Sequence, residues 1–346
     1  MTIIQQIVYD LSLASVSELL HSWGEAEYRA IQIWQGLYQH YWNSPEEFST
    51  LSINLRDKLA NYFSFAAITP VKVLTSNNKQ TTKLLFQLGD ANQIEAVLMR
   101  YNKRRTICIS TQSGCAMDCI FCATGQMGFK RNLTYGEIVA QVIYLARMLA
   151  DEGEALTNIV IMGMGEPFHN YENTMKAITR LNDSEGFNFG ARRFTISSVG
   201  LVPAILRFAD ENRQVNLAIS LHAITDELRS SLLPINLKYP VYDLLAACRY
   251  YVQKTKRRIT FEWALIKGIN DTPEQARLLA TKLKNLLCHV NVIPLNPTPG
   301  YDGQATTRES SKIFQEILLS AGVPCTIRVR RGVEIGAGCG QLVGLS

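Results

Sequence analysis

The chain has 346 residues, 47% of them hydrophobic, and its 35 basic and 30 acidic residues give a net charge of +5. This length supports a sizeable core and more than one domain. The sequence lacks the run of roughly 18 apolar residues that a membrane helix requires, and it begins without the basic and apolar stretches of a secretory signal. Eight cysteines in so long a chain favour metal binding or catalysis over structural disulfides. We therefore expect a cytoplasmic enzyme without a membrane partner.

Residues 1–65 are predicted to form a small helical domain, because apolar residues recur there at helical spacing. The Ser44-Pro45 pair is expected to open a further helix in it. Residues 1–61 carry three basic and seven acidic residues, so the positive charge is concentrated in the remainder of the chain. Clusters of basic residues can neutralise phosphates, although each alone is also typical of a solvated surface. These clusters are Lys103 to Arg105, Arg192 with Arg193, Lys254 to Arg258, and Arg328 to Arg331.

Residues 66–100 are predicted to form a β-hairpin linker, since short apolar runs flank two turn-forming segments. From residue 101 to 333, strand-like runs alternate with helical stretches, which predicts an α/β fold. Such alternation is typical of a parallel sheet with right-handed crossovers, here curled into a partial (β/α) barrel. Residues 334–346 remain as a C-terminal segment. The predicted barrel strands span 106–110, 158–162, 194–197, 215–220, 259–264, 290–295 and 325–329.

Cys115, Cys119 and Cys122 form a C-x3-C-x2-C motif after the first predicted barrel strand. Three thiolates on one short loop can hold three corners of a [4Fe-4S] cluster and leave the fourth iron open for a ligand that is not protein. In radical enzymes that ligand is S-adenosylmethionine (SAM). A structural zinc site would need a fourth ligand nearby, and the nearest histidine in sequence, His169, lies well beyond the loop. A bacterial-type ferredoxin would need C-x2-C-x2-C repeats, which the sequence lacks.

Polar or glycine-rich segments follow five of the predicted strands, where the active site of a parallel barrel lies. The turn from Met162 to Pro167 contains glycines that allow close approach to a ligand, and its Glu166 suits an amino group. Each segment alone is a weak signal, because a glycine turn or a lone histidine is usually structural. The five segments are the cysteine loop, residues 162–167, Ser197 with Ser198, Ser220 to His222, and Asn296 with Pro297.

In combination, these motifs resemble the RlmN/Cfr family of radical SAM RNA methyltransferases, which modify adenine, over nearly the whole chain. The matching motifs are Gly114-Cys-Ala-Met-Asp-Cys-Ile-Phe-Cys-Ala-Thr-Gly125, Gly128-Phe-Lys-Arg-Asn-Leu-Thr134, Met162-Gly-Met-Gly-Glu-Pro167, Ala218-Ile-Ser-Leu-His222, Pro294-Leu-Asn-Pro297 and Gly338-Cys-Gly-Gln-Leu342. The resemblance implies a [4Fe-4S] cluster on the three loop cysteines and two SAM molecules per turnover. It also implies that the helical domain helps to grip RNA. Because residues 1–61 carry a net negative charge, we expect this grip to use loops and helix termini. The SAM contacts that it implies are Gly165, Glu166, Ser197, Ser220, Leu221, His222 and Asn296.

The resemblance also assigns three residues to catalysis. Cys339 would take a methyl group from SAM and become S-methylcysteine, and Cys108 would later release a thioether between RNA and protein by forming a disulfide with Cys339. Alternation places Cys108 on the polar face of the first barrel strand, although packing as a small buried hydrophobe is equally open on sequence grounds. Glu95 matches the proton acceptor, whereas sequence alone would favour an acid on an exposed hairpin strand. Three further cysteines are predicted to be packing residues: Cys248, Cys288 and Cys325.

The family further implies 23S rRNA and the anticodon loop of tRNA as substrates, and it favours carbon 2 of adenine. Methylation of carbon 8 would use the same cluster and the same cysteine pair. Two alternatives belong to other classes: a radical enzyme acting on a peptide or small molecule, and a non-catalytic iron-sulfur or RNA-binding protein. We expect a monomer that takes electrons from an external donor such as flavodoxin or ferredoxin.

Overall fold

The structure, a computed structural model, describes residues 5–344. The outer ends of the predicted first and last segments, residues 1–4 and 345–346, lie outside this range. The helices are α1 Leu13–Ser22, α2 Tyr28–Tyr38, α3 Ile53–Tyr62, α4 Ala123–Gln126, α5 Tyr135–Asp151, α6 Tyr171–Leu181, α7 Val202–Asp210, α8 Asp226–Leu232, α9 Val241–Thr255, α10 Pro273–Leu283 and α11 Arg308–Ser320. The strands are β1 Gln6–Ile7, β2 Phe63–Ser64, β3 Ile68–Thr75, β4 Thr81–Leu88, β5 Gln93–Tyr101, β6 Arg104–Cys108, β7 Gln112–Gly114, β8 Phe129–Asn132, β9 Asn158–Ile161, β10 Phe194–Ser198, β11 Asn216–Ser220, β12 Ile259–Leu265, β13 Cys288–Pro294 and β14 Cys325–Ile327.

Ten strands form one sheet in the order β14-β13-β12-β11-β10-β9-β6-β5-β4-β3. The strands from β6 to β14 in this order pair in parallel, and helices connect them, as right-handed crossovers require. The prediction of an α/β partial barrel is therefore confirmed, and each predicted barrel strand overlaps an observed one. The parallel arrangement places the C-terminal ends of the strands at a single rim, where the predicted site residues lie.

Strands β3, β4 and β5 extend the same sheet with antiparallel pairing, and β5 pairs with the first barrel strand, β6. The paired strands expected for this region are present, but they continue the barrel sheet. The faces of β4 and β5 are largely buried, because β5 has a neighbour on both sides and packs against other parts of the chain. This position determines the environment of Glu95.

The N-terminal region contains α1, α2 and α3, as predicted. The expected helix at Ser44-Pro45 is limited to one 3-10 turn, Pro45–Glu47, and the Ser44 side chain caps no backbone N–H there. Helix α3 begins after Ser52, whose hydroxyl accepts a hydrogen bond from the Leu55 N–H. The helical region is joined to the barrel by Asp10, whose carboxylate accepts from the Gly136 N–H at 2.7 Å, at the start of α5.

Helix α5 follows the glycine-rich segment after the cysteine loop and packs on the sheet. Thr134 and Glu137 form a capping box at its start, which satisfies two N–H groups that a helix end leaves unpaired. Arg131 donates to the Glu137 carboxylate at 2.7 Å, so the hairpin of β7 and β8 is fixed to this helix.

Among residues 5–344, no helix is long and apolar enough to cross a lipid bilayer.

Candidate active site

A cavity lies at the C-terminal rim of the parallel strands, and residues 337–340 and 342 form part of its lining. The three loop cysteines share its wall with Cys108 and Cys339, which are far apart in the sequence. Most of the predicted SAM contacts also line it: Gly165, Glu166, Ser197, Ser220, His222 and Asn296. Leu221 and Glu95 lie behind the wall. The fold thus brings together predicted site residues from five strand ends, the cysteine loop and the C-terminal segment.

Backbone contacts on several sides hold the cysteine loop. The Cys115 N–H donates to the Gly128 carbonyl at 3.1 Å, and the Ile120 N–H donates to the Leu232 carbonyl, at the end of α8, at 3.2 Å. Burial raises the pKa of Cys115 to about 12 and that of Cys119 well above its usual value. These two thiols are therefore protonated at neutral pH in the metal-free protein, and binding of a metal cluster would release their protons.

The spacing of these thiols bears on the kind of metal centre they suit. Within residues 5–344, no three His, Cys, Asp or Glu side chains converge closely enough to hold a single metal ion. The three cysteines all line the wall of the cavity. Three sulfur donors on one short loop fit three corners of an iron-sulfur cluster, with one thiolate on each of three irons.

The turn after β9 depends on a glycine that no other residue would replace without strain. Gly165 has a φ of +96°, and a Cβ built on it would lie 2.5 Å from the Gln112 Cβ. The Gln112 side chain also accepts a hydrogen bond from the Glu166 N–H at 2.8 Å. Gln112 thus fixes the position of Glu166, a function that no feature of the sequence indicated.

The Glu166 carboxylate is buried and held by two backbone donors. It accepts hydrogen bonds from the Phe168 N–H at 3.0 Å and from the Val199 N–H at 2.8 Å. Burial raises the pKa of Glu166 to about 7, against the opposing effect of these two bonds. A cationic group beside it would favour the ionised form, so the site suits an ammonium group.

The segment Leu221-His222 closes β11. His222 has a φ of +57°, and its Nδ1 accepts from the Ala264 N–H at 2.9 Å, so the ring proton of the neutral imidazole is on Nε2. Burial lowers the pKa of His222 to about 3, which keeps the ring neutral. Leu221 is fully buried. Its N–H donates to the Glu262 carbonyl, and its carbonyl accepts from the Arg229 guanidinium.

Two buried oxygen atoms of the cavity wall accept no hydrogen bond from any residue in the range 5–344. They are Asn296 Oδ1 and Glu262 Oε2, although Arg328 lies 3.8 Å from the Glu262 carboxylate. Buried acceptors of this kind normally have a donor, and the hydroxyl and amino groups of SAM are donors. Sequence reasoning missed Glu262, yet a single acid in the apolar run Ile259 to Ile266 was a signal that could have found it.

Cys108 and Cys339 face the same cavity from different parts of the chain. Cys108, on β6, is half-buried, and Cys339 is exposed on the C-terminal segment. Burial raises the pKa of Cys108 to about 12, and the charge of a Cys339 thiolate would raise it further. Asn296 donates to the Cys339 carbonyl at 3.0 Å, which anchors the segment next to the sixth barrel strand. The three cysteines predicted to be packing residues lie in the core: Cys248, Cys288 and Cys325.

Glu95 is 1% exposed, so the expectation of an exposed hairpin strand is wrong. The Lys83 ammonium lies 2.9 Å from its Oε1, and its Oε2 accepts from the Val343 N–H at 3.0 Å. The carboxylate therefore sits between β4 and the C-terminal segment that carries Cys339. On β5 it shares a face with Val97 and Met99, which both line the cavity.

The fold and the cysteine loop define a radical SAM protein. Residues 109–280 match the model of the Radical SAM superfamily, and residues 8–64 match the model of the ribosomal RNA large subunit methyltransferase N-terminal domain. Dual-specificity RNA methyltransferase RlmN 1 of Myxococcus xanthus is 48% identical over 97% of this chain and 93% of its own length. A probable dual-specificity RNA methyltransferase RlmN of Chloroflexus aurantiacus is also 48% identical, over 98% of this chain and 93% of its own length.

A crystal structure of a radical SAM methyltransferase from Sphaerobacter thermophilus superposes with a TM-score of 0.96. It is 49% identical and covers 98% of this chain and 100% of that one. The chain belongs to the RlmN family of radical SAM RNA methyltransferases. Enzymes of this family use a [4Fe-4S] cluster and SAM.

Proposed function

We propose that this enzyme methylates carbon 2 of a specific adenine in 23S rRNA and in tRNA, with Cys339 as the methyl carrier. One observation carries the proposal: Cys108, Cys339 and the three loop cysteines open on a single cavity. A radical enzyme acting on a peptide or small molecule would not need a second pair of thiols there. The RNA substrates are inferred from the relatives, which are named as dual-specificity RNA methyltransferases.

Each cofactor has a set of candidate ligands in the cavity wall. Cys115, Cys119 and Cys122 would hold the cluster. The Glu166 carboxylate would accept a hydrogen bond from the amino group of SAM. Asn296 Oδ1, which has no donor from the protein, would accept a hydrogen bond from another N–H or O–H group of SAM. The neutral His222 would offer its Nε2 proton, while Leu221 would contribute backbone alone. The remaining polar groups proposed to contact SAM are those of Gly165, Ser197 and Ser220.

A radical route suits the proposed target atom. Carbon 2 of adenine is flanked by two nitrogens and is too electron-poor to attack a methyl group as a nucleophile. When bound, the cluster and SAM supply the methyl group and the one-electron chemistry that removes a hydrogen atom from it. Cys339 would hold the methyl carbon during this chemistry and would become joined to the RNA through a thioether. An exposed thiol beside the cluster loop is suited to both steps.

Two residues would then release the product. Glu95 would accept the proton that the ring carbon loses, and the one electron left over from the radical addition would pass back to the electron-transfer protein. Cys108, whose raised pKa keeps it as a thiol, would give up its proton as its sulfur attacks the Cys339 sulfur, so that a disulfide forms while the bond between sulfur and the RNA-bound carbon breaks. That carbon would take up a proton and become the methyl group. An external reductant would return both cysteines to thiols.

Two arginines that meet on one aromatic ring support an RNA substrate. The guanidinium carbons of Arg104 and Arg331 each lie 4.5 Å from the ring centroid of Tyr101, so two basic clusters distant in sequence meet on one aromatic ring. Neither arginine forms an ion pair within residues 5–344, whereas the neighbouring Arg105 is paired with Glu154. Unpaired cations beside an aromatic ring suit the phosphates and bases of a single-stranded loop.

The target adenine must leave its stack to reach Cys339, which favours a structured loop over a regular duplex. The helical N-terminal domain would help to hold this loop. We further propose that the enzyme works as a monomer in the cytoplasm, where its RNA substrates are, and that a flavodoxin or ferredoxin supplies its electrons.

The direct test is anaerobic incubation of cluster-loaded protein with methyl-labelled SAM, reductant and rRNA or tRNA that lacks prior methylation. Mass analysis of the nucleosides and of the Cys339 peptide should find labelled 2-methyladenosine and a methylated cysteine. Labelled 8-methyladenosine would show that the enzyme methylates carbon 8 of adenine and not carbon 2. Release of deoxyadenosine without a methyl group on RNA or Cys339 would refute the proposed function.

A further inference from the structure

Arg229, on α8, is an internal cation without a carboxylate partner. Its side chain is 0% exposed. It donates to three carbonyl oxygens at the ends of β10 and β11, those of Val199 at 2.6 Å, Leu221 at 3.1 Å and Ser220 at 3.3 Å. No ion pair within residues 5–344 includes it. A buried charge costs several kcal/mol unless another charge compensates for it.

The nearest link to a negative charge runs through one amide. Arg229 donates to Asn236 Oδ1 at 2.9 Å, and the Asn236 amide in turn donates to the exposed Asp226 carboxylate at 2.9 Å. Burial lowers the pKa of Arg229 to about 10, which still leaves it charged at neutral pH. Hydrogen bonds to neutral oxygens satisfy its donors but do not neutralise its charge.

The position of Arg229 identifies what does compensate for it. The last residue of its helix, Leu232, accepts a hydrogen bond from Ile120, between Cys119 and Cys122 in the cysteine loop. A thiolate at Cys119 would raise the pKa of the Arg229 guanidinium and so favour its charged form. Val199, which Arg229 contacts directly, lines the cavity together with Cys119. The guanidinium thus lies behind the wall at the point where the cluster would sit.

We propose that Arg229 is the built-in counter-charge of the iron-sulfur cluster and raises its reduction potential. This inference rests on the proposed binding of the cluster by Cys115, Cys119 and Cys122. A cluster with three thiolate ligands is anionic, and reduction adds one more negative charge, so a nearby buried cation stabilises the reduced state more than the oxidised one. Net charge and burial are among the factors that set such potentials. Arg229 therefore acts on the cluster through its charge and contacts neither SAM nor RNA.

The chain offers a substitution that changes only where one charge lies. In the double variant Asp226→Asn with Asn236→Asp, the carboxylate and the amide exchange places. The net charge of the protein is kept, and the new amide at position 226 can donate to the new carboxylate at position 236. The Ser230 hydroxyl, which accepts from the Asn236 amide at 2.9 Å, can donate to that carboxylate instead. The negative charge, however, now directly contacts Arg229 and offsets its field at the cluster. The single variant Asp226→Asn is the matched control, because it removes the remote charge and leaves the guanidinium unopposed.

The measurement is the midpoint potential of the cluster, from an anaerobic redox titration followed by electron paramagnetic resonance. We expect the exchange variant and Arg229→Met to lower the ratio of reduced to oxidised cluster at least tenfold at a fixed potential, a shift of about 59 mV for one electron. Arg229→Lys, which keeps the charge, should shift the potential less than Arg229→Met, and Asp226→Asn should not lower it. If Arg229→Met fails to fold or to hold a cluster, the exchange variant and Arg229→Lys decide the matter.

A purely structural role for Arg229 makes a different prediction. Arg229 would then only tie together the ends of β10 and β11, so SAM affinity and thermal stability would fall in Arg229→Met while the potential stayed unchanged. A folded, cluster-loaded exchange variant with the potential of the unsubstituted enzyme would overturn the proposal. A failure of RNA methylation alone would refute the proposed function and leave this shift measurable. If the three loop cysteines bound no cluster, both proposals would be wrong.

Discussion

The ionisation state of the Glu166 carboxylate should control the affinity for SAM near neutral pH. Burial raises its pKa to about 7, and its two backbone donors already hold it in one orientation. The proposed contact with the SAM amino group needs the ionised form. Between pH 7 and pH 6 the ionised fraction falls from about one half to about one tenth, so the apparent affinity for SAM should fall about fivefold, and about tenfold for each further pH unit.

The assay is anaerobic equilibrium binding of SAM to the cluster-loaded enzyme between pH 5.5 and 7.0. This range stays below the pKa of an α-amino group, at about 7.7, so the ligand keeps its charge. Glu166→Gln should bind SAM about tenfold more weakly or worse, because a hydrogen bond to a charged group is worth about 1.5–3 kcal/mol, and its affinity should no longer depend on pH. His222 does not contribute, since its pKa of about 3 lies below the range.

Either of two results would refute this reasoning. One is an affinity for SAM that stays constant from pH 5.5 to 7.0 in the unsubstituted enzyme. The other is an equal pH dependence in Glu166→Gln, which would assign the titration to a different group.

Three further predictions concern the RNA steps. Glu95→Gln should slow turnover about 10²-fold or more, the usual effect of losing a general base. It should also accumulate an RNA adduct that retains deuterium placed on carbon 2. The control variant Asp90→Asn should turn over at the normal rate. Cys108→Ala should accumulate an adduct that has lost this deuterium, visible on a denaturing gel; an adduct that turned over normally would exclude Cys108. Replacing Arg104 and Arg331 by alanine should weaken tRNA binding. It should also reduce the slope of log K against log salt concentration by about 0.7 for each lost phosphate contact. Arg207 is exposed and already ion-paired, so Arg207→Ala should leave this slope unchanged.

The barrel strands could be predicted because each is a short apolar run between helical stretches, a local pattern. The rim followed from them, since parallel strands end on the same side, and so did the grouping of Glu166, His222 and Asn296 near the cysteine loop. These inferences need only the direction of each strand. The register and the partner of each strand were not required.

The environment of single charged residues could not be predicted in this way. Glu95 looked like an exposed acid because alternation along β5 does not reveal that β4 and β6 flank this strand on both edges and that the C-terminal segment reaches the Glu95 carboxylate through Val343. Its partner Lys83 lies on a different strand and was invisible for the same reason. Arg229 stands on a short helix with an ordinary amphipathic sequence, and its burial arises from the way α8 packs over the ends of β10 and β11. Such features depend on tertiary packing, which no local pattern records.

The C-terminal segment connects the parts of the proposed reaction. The Thr124 hydroxyl, directly after the cysteine loop, donates to the Leu342 carbonyl at 2.6 Å, and the Ala123 N–H donates to the Gly340 carbonyl at 2.8 Å. Val343 donates to Glu95 at 3.0 Å. Within five residues, the segment that carries Cys339 is therefore bonded to the cluster loop and to the proposed proton acceptor. Because Cys339, Gly340 and Leu342 also line the cavity, any shift of this segment would change the surroundings of Cys339 and Glu95 together.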